Sequence, residues 1–260
     1  MKKLKVLGLA AFAAGMETLT SCLDGGGNTS TGGGYGVVDF DMNAMGNVVK
    51  DDYGTVVYST GFSNLSQGDF VVYYSTIDWD NQPSDKYITA TVGQGQAGKL
   101  DKWSTSPSLT DTSVVMSNEM AISEVGFIQT AFGNEVYALR ANSHAFIASI
   151  FKNIPSDQTI SYDLSYDGNL ETVQENGVNV YDFFLRATKV GEGKKTEQDC
   201  PFTNVFDLNQ FLYRAISKER SAGAKKVNVR VNFIKEFSKD STSWVWGKSE
   251  IASFPIPSES

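Results

Sequence analysis

Residues 158–166 read QTISYDLSY. Ile160, Tyr162, Leu164 and Tyr166 fall on one face of an extended chain, with Ser161, Asp163 and Ser165 on the other. Side chains alternate across a strand, so this pattern predicts a strand with one face buried and one wet. Residues 227–233 repeat it, Val227, Val229, Val231 and Phe233 standing opposite Asn228, Arg230 and Asn232. Residues 145–151, AFIASIF, are apolar on both faces and predict a central strand. Strands at 126–132 and 135–140 flank Gly133-Asn134, a two-residue hairpin signal; Asp167-Gly168 and Asn176-Gly177 are two more. Turn signals at roughly ten-residue intervals predict a β-sandwich. One helix interrupts: over 207–220, Leu208, Phe211, Leu212, Ala215 and Ile216 share a face at helical spacing. Asp207 is its predicted N-cap, Lys218 and Arg220 favour its C-terminal end, and Gly223 follows.

Working towards the N-terminus, strand-like runs recur without helices between them. They are Val37–Phe40, Tyr53–Thr60, Asp69–Ile77 (DFVVYYSTI) and Lys86–Val92 (KYITATV). Short strands in succession suit a small closed barrel, because closure leaves no bare edge. Residues 93–111 lose periodicity and read as an irregular link. The expected organisation is therefore a barrel over 37–111 and a β-sandwich with one short helix over 112–260, an all-β fold.

The first 22 residues predict an address. Lys2, Lys3 and Lys5 precede an apolar run from Val6 to Gly15, and then comes Leu19-Thr20-Ser21-Cys22. The run is shorter than the ~20 residues of a membrane-spanning helix. This order predicts a lipoprotein signal peptide over 1–21, cleavage before Cys22 and lipidation of Cys22. Residues 24–36, DGGGNTSTGGGYG, hold seven glycines in thirteen positions. They read as a flexible tether over 22–36 with a mean reach of ~20 Å.

The chain of 260 residues carries a net charge of −8; losing residues 1–21, with three lysines and one glutamate, makes it −10. Basic residues cluster only at Lys194-Lys195 and Lys225-Lys226, which argues against a nucleic-acid partner. An acidic body is also repelled by an anionic bilayer, so the lipid on Cys22 must do the anchoring. With Cys22 lipidated, Cys200 is alone in a polar stretch and reads as an unpaired loop thiol, or less simply as an intermolecular disulfide partner.

No motif here carries catalysis. His144 is the lone histidine, which excludes a multi-histidine zinc site. Ser143 beside it points to the opposite strand face, and no G-x-S-x-G elbow occurs. Asp78-Trp79-Asp80-Asn81 begins like a calcium loop, but Gln82 and Pro83 break the pattern, so it reads as a surface turn. Residues 93–98, GQGQAG, lack the βαβ context of a dinucleotide loop. No catalytic residue, metal site or cofactor is expected. Aromatic residues give the one positive lead: Trp79 and Trp103 lie in or beside loops, where exposed rings stack on sugars. Trp244 and Trp246 share one strand face, which suits packing across a domain seam.

These features together resemble the NigD-like lipoproteins. The matching pieces are the MKKLK start and Leu19-Thr20-Ser21-Cys22-Leu23-Asp24. In the C-terminal half they are 134–140 leading to His144-Ala145-Phe146-Ile147, then 181–187 (YDFFLRA), then Val205-Phe206-Asp207-Leu208. The resemblance implies an N-terminal OB-like barrel, a C-terminal β-sandwich and no enzymatic activity. It implies an outer-membrane lipoprotein of the cell envelope, facing the periplasm or the surface. An acidic run is usual after the lipidated cysteine; Asp24 stands alone here, so the resemblance does not imply surface display. The expected function is a non-enzymatic interaction module for an envelope protein; the alternative is a glycan-binding lipoprotein that presents polysaccharide to an uptake system.

Overall fold

A computed structural model describes residues 27–238 and 243–257; the signal peptide expected over 1–21 and Cys22 lie outside the described residues. The chain divides into two units. The first holds residues up to 101 and a later return, 129–143; the second holds 102–128 and the chain from 144 onward.

The first unit begins with β1 (Thr29–Asp41), β2 (Gly46–Lys50) and β3 (Val56–Tyr58), then β4 (Phe70–Asp78), β5 (Ile88–Thr91) and β6 (Ala97–Lys99). β1 is long enough to serve two partners. Its first part, Thr29 to Val37, pairs with β4, and Val37 to Asp41 pairs with β2. The ring β1-β2-β3-β5-β4 therefore closes on itself, with β3 and β5 parallel and β6 added outside β4. This is a five-stranded OB-like barrel. Val38, Val49, Val57, Val71, Ile77 and Ala90 fill it from alternate strand positions. A single 3-10 turn, Thr60–Phe62, drops Phe62 into the core edge-on to Tyr73. Ser59 Oγ accepts from Gly61 N and Val92 N, joining the ends of β3 and β5.

Residues 29–36, expected as tether, are strand. Two of their glycines, Gly34 and Gly36, are used for close approach. A Cβ on Gly34 would lie 2.3 Å from the Tyr73 ring, and one on Gly36 would lie 2.5 Å from Lys50 O. Composition alone reads such a run as coil, because it does not show what passes over the missing side chains.

After β6 the chain makes β7 (Lys102–Trp103), β8 (Thr105–Ser106) and β9 (Glu124–Phe127), all in the second unit. It returns to the first unit as β10 (Gln129–Phe132), β11 (Glu135–Ala138) and β12 (Arg140–Ala141). The unit boundary thus falls at 101–102, not near 112. β7 and β8 are two-residue strands that pair in parallel with distant partners, which local periodicity does not reveal.

The rest of the second unit is β13 (His144–Pro155), β14 (Thr159–Tyr166), β15 (Val173–Glu175), β16 (Val178–Val190) and β17 (Glu197–Asp207). Then come α1 (Asn209–Ser221), β18 (Lys226–Phe237), β19 (Trp244–Lys248) and β20 (Ala252–Pro255). β9, β13, β17 and β7 form one sheet; β19, β18, β16, β14 and β8 form the other, with β15 and β20 attached. Ring contacts join the sheets: Tyr162 of β14 meets Phe151 and Phe206, and Phe127 meets Phe254 edge-on. The sandwich and its helix are as the sequence predicts. Ile160, Tyr162, Leu164 and Tyr166 are buried, and residues 144–149 are buried on both faces. The helix buries Phe211, Leu212 and Ala215, and Phe211 sits among Tyr166, Tyr181 and Phe183.

Three local expectations change. The cap position of α1 is Leu208, although Asp207 Oδ1 accepts from Asn209 N. Asp167-Gly168 opens a wider turn that leaves Leu170 at φ +57°, since β14 pairs with β16 instead of its neighbour in sequence. The polar face of β18 is not wet: Arg230 and Asn232 are buried. Arg230 is held by Asp182 at 2.8 Å and by Glu175, and Asn232 donates to Phe183 O. Hydrophobic alternation detects such a face as polar without detecting the counter-charges brought to it. A second buried pair ties down the segment before β9. Arg186 of β16, 2% exposed, pairs with Glu119, 0% exposed, and donates to Asp111 O and Val114 O.

Candidate functional site

The β2–β3 connection builds one wall of a cleft in the first unit. Asp51 Oδ1 accepts from Tyr53 N (2.8 Å) and Thr55 N (3.0 Å), and Gly54 takes φ +94°. This tight turn projects Asp52 and Tyr53 towards residues 138–143. Asp52 N donates to Arg140 O. Its carboxylate accepts from Asn142 N (2.6 Å) and Ser143 N (3.1 Å), and Arg140 Nε lies 3.3 Å away. Asn142 and Ser143 both have positive φ, so two successive N–H groups converge on one carboxylate. Tyr53 Oη donates to Ala138 O.

The cleft has a volume of about 420 Å³ and is lined by Val37, Val38, Asp39, Lys50, Asp52, Gln67, Gly68 and Asn142. Asp39 accepts from Lys50 Nζ, from Gln67 Nε2 (2.6 Å) and from Phe40 N (2.9 Å). The Lys50 contact, reinforced by those N–H groups, holds the Asp39 carboxyl below its usual range. Asp51, behind the wall, goes the other way: burial raises it, against the pull of the Thr55 and Tyr53 N–H groups.

That direction gives a prediction. A carboxyl raised on folding binds more protons in the native state, so its contribution to stability falls as pH rises from about 4 through the raised value. Asn keeps an oxygen for the two N–H groups and has no charge to bury. Asp51→Asn is expected to be neutral or stabilising at pH 7, with a flatter decline of the urea midpoint above pH 4. A lower midpoint at pH 7 would contradict this.

Beside the cleft stands a cluster of three rings. Tyr53 is stacked near-parallel on Tyr137 at 6.3 Å, and Phe132 leans on both, at 5.5 and 6.4 Å. Arg140 lies over the Tyr53 ring. Phe132 is 49% exposed at the end of β10. The hairpin loop is Gly133-Asn134 with φ positive at Gly133 alone, the conformation of a II′ turn. A second exposed feature is the β1–β2 turn. Asp41 Oδ1 accepts from Asn43 N and Ala44 N, fixing a tip that presents Phe40, Met42 (72% exposed) and Met45 (73% exposed).

The residues singled out in sequence are placed as follows. Trp79 is half-buried, packs on the barrel core and donates from Nε1 to Ser30 Oγ (2.9 Å). Trp103 is half-buried in β7, donates to Asn204 Oδ1 and meets Tyr162 edge-on. The structure brings neither to the cleft. Trp246 packs edge-on against Phe184 within the sandwich. His144 Nε2 lies 4.0 Å from Asp207 Oδ2, its cross-strand neighbour. Asp78, Asp80 and Asn81 close a hydrogen-bonded turn onto Asn28, and Gln96 closes a turn onto Gly93. Among the described residues no three His, Cys, Asp or Glu side chains are grouped to hold a metal ion. Cys200 is not in a loop: it is buried in β17, its Sγ against Ile154 O and Gln198 O. Sequence reasoning missed Asp52, Phe132, Arg140 and Asn142. The turn-like string Asp51-Asp52-Tyr53-Gly54 was the available signal for the first.

Residues 26–95 match the family model of a lipoprotein OB domain. Among solved structures, an uncharacterized protein from Parabacteroides merdae is 26% identical, with a TM-score of 0.70 over 87% of this chain and 99% of that one. A candidate lipoprotein from Bacteroides fragilis shares the fold at 13% identity and a TM-score of 0.55, over 89% of this chain and 100% of that one. A NigD-like immunity protein from Bacteroides caccae is 8% identical with a TM-score of 0.41, over 86% and 93% of the two chains. No curated protein matches the chain.

Proposed function

We propose that this chain, built on a lipoprotein OB domain over residues 26–95, is a non-enzymatic envelope protein anchored in the outer membrane through lipid on Cys22. Its barrel binds another protein of the envelope. The observation that carries this reading is the β1–β2 tip, where Phe40, Met42 and Met45 stand exposed on a hydrogen-bonded turn. OB barrels recognise ligands with their strand faces and the loop between the first two strands. Exposed methionines suit contact with another protein, because their flexible, polarizable side chains adapt to the partner. The carboxylates that line the cleft are each held by several fixed donors, which suits a binding surface better than proton transfer.

Photocrosslinking in cells tests the partner. A photoreactive residue at position 42 or 45 is expected to give a discrete adduct that one at exposed Tyr213 does not. Equal yields from all three positions would sink the reading. The anchor makes a separate prediction: Cys22→Ala should move the protein from the membrane to the soluble fraction, and unchanged fractionation would refute lipidation.

A second reading, a glycan-binding lipoprotein, is favoured by the ring cluster next to a polar cleft. On it the stacking role falls to Phe132, not to Trp79 or Trp103.

A further inference from the structure

We infer that the cleft between the β2–β3 turn and residues 138–143 binds a neutral oligosaccharide, one sugar ring stacking on Phe132. The inference rests on the glycan reading and assigns it a site.

Charge balance narrows the ligand first. Asp39 and Asp52 are matched by Lys50 and Arg140, so the cleft offers no net charge to an ion. An anion would meet two carboxylates, and a cation would meet an ammonium and a guanidinium. The polar lining disfavours a purely apolar guest. A sugar hydroxyl, which both donates and accepts, suits a wall of interleaved donors and acceptors. Lys50 Nζ has three N–H groups and turns one to Asp39, while its side chain remains half exposed. The Gln67 amide gives one N–H to Asp39 and is itself part of the cleft lining. The carboxylates are already oriented by backbone N–H groups, so they need no reordering to accept from hydroxyls. The cleft volume is in the range of small-ligand sites.

Ring geometry supplies the other half of the argument. A lone exposed phenylalanine is ordinary on a protein surface. Phe132 differs because Tyr53 and Tyr137 back it, and Tyr53 is itself pinned by Ala138 O and Arg140. The ring is held in place before any ligand arrives, so stacking on it costs little side-chain entropy. Arg140 touches both the Tyr53 ring and Asp52, and so links the platform to a carboxylate that lines the cleft.

Calorimetric titration tests this with the full lipidated chain in a sugar-free detergent. The probes are neutral gluco-, manno-, xylo- and galacto-oligosaccharides, with an oligogalacturonide as the charged control. At least one neutral probe should bind. Phe132→Ala and Gln67→Ala should each weaken it roughly tenfold, about 1.4 kcal/mol, with Tyr213→Ala unchanged. Both substitutions are at exposed positions, and unaltered circular dichroism and melting temperature would confirm folding. Neutral sugar binding that survives both substitutions overturns the site and leaves the glycan reading standing. Binding of the oligogalacturonide alone overturns the neutral-ligand inference. Silence across the whole panel overturns the site and the glycan reading together.

Discussion

Arg186→Ala is expected to destabilise the second unit by about 3–5 kcal/mol, the range for removing one partner of a buried ion pair. Total stability of a domain is of the order of 5–15 kcal/mol, so the variant should be partly unfolded near body temperature. The cost has three sources. Glu119 loses its counter-charge in a site with no exposure. The carbonyl oxygens of Asp111 and Val114 lose their donor. The segment that carries Met116 N onto Glu119 Oε2 loses its side-chain tie to β16 and keeps only backbone bonds such as Met120 N to Ala187 O. Replacing both partners with apolar residues, Arg186→Met with Glu119→Leu, should recover part of the loss, since no isolated charge then remains. Recovery is incomplete because the two carbonyls still lack their donor and Met116 N now loses its acceptor. Urea midpoints of the single and double variants check both statements. A loss under ~1 kcal/mol for Arg186→Ala would place the pair among solvent-screened contacts.

Gly36→Val is expected to cost about 3 kcal/mol, the upper end for overpacking a closed core. A Cβ there meets Lys50 O at 2.5 Å and Val49 Cγ1 at 2.7 Å. The first is backbone of a paired strand and cannot swing aside, so β1 and β2 must separate where β1 crosses from β4 to β2. Gly32→Ala is the control: nothing lies within 4 Å of its added carbon. It should change stability by less than ~0.5 kcal/mol. If residues 22–36 were a tether, both substitutions would be silent. Equal midpoints for the two variants and the parent would remove residues 29–36 from the barrel.

Strand periodicity made much of the sandwich legible. QTISYDLSY and AFIASIF became β14 and the buried start of β13, because burial on one face or both writes itself into alternate residues. Helical spacing likewise marked Phe211, Leu212 and Ala215 as the buried face of α1. The hairpins at Gly133-Asn134 and Asn176-Gly177 were legible because positive φ selects glycine and asparagine. The glycine run failed for the converse reason. Glycine marks both coil and close approach, and the two differ only in what lies opposite.

The candidate site was less legible than the fold. Asp52 and Asn142 are 90 residues apart, and they meet because the chain leaves the barrel unit at 101 and re-enters it at 129. Phe132 has no distinguishing pattern in sequence; its role comes from Tyr53, far away in the chain, holding the ring. The tryptophans drew attention by residue type, and packing had already engaged them.

By itself, then, the sequence determined the all-β class, the succession of a barrel and a sandwich, and the helix that follows Asp207. All of these are local: each depends on periodicity, turn chemistry or residue order within about twenty positions. Tertiary structure alone decided where the barrel begins, which glycines it needs, which charges are buried and paired, and which distant side chains line one cleft. Those outcomes depend on pairing between remote strands, whose register and neighbours no local pattern encodes.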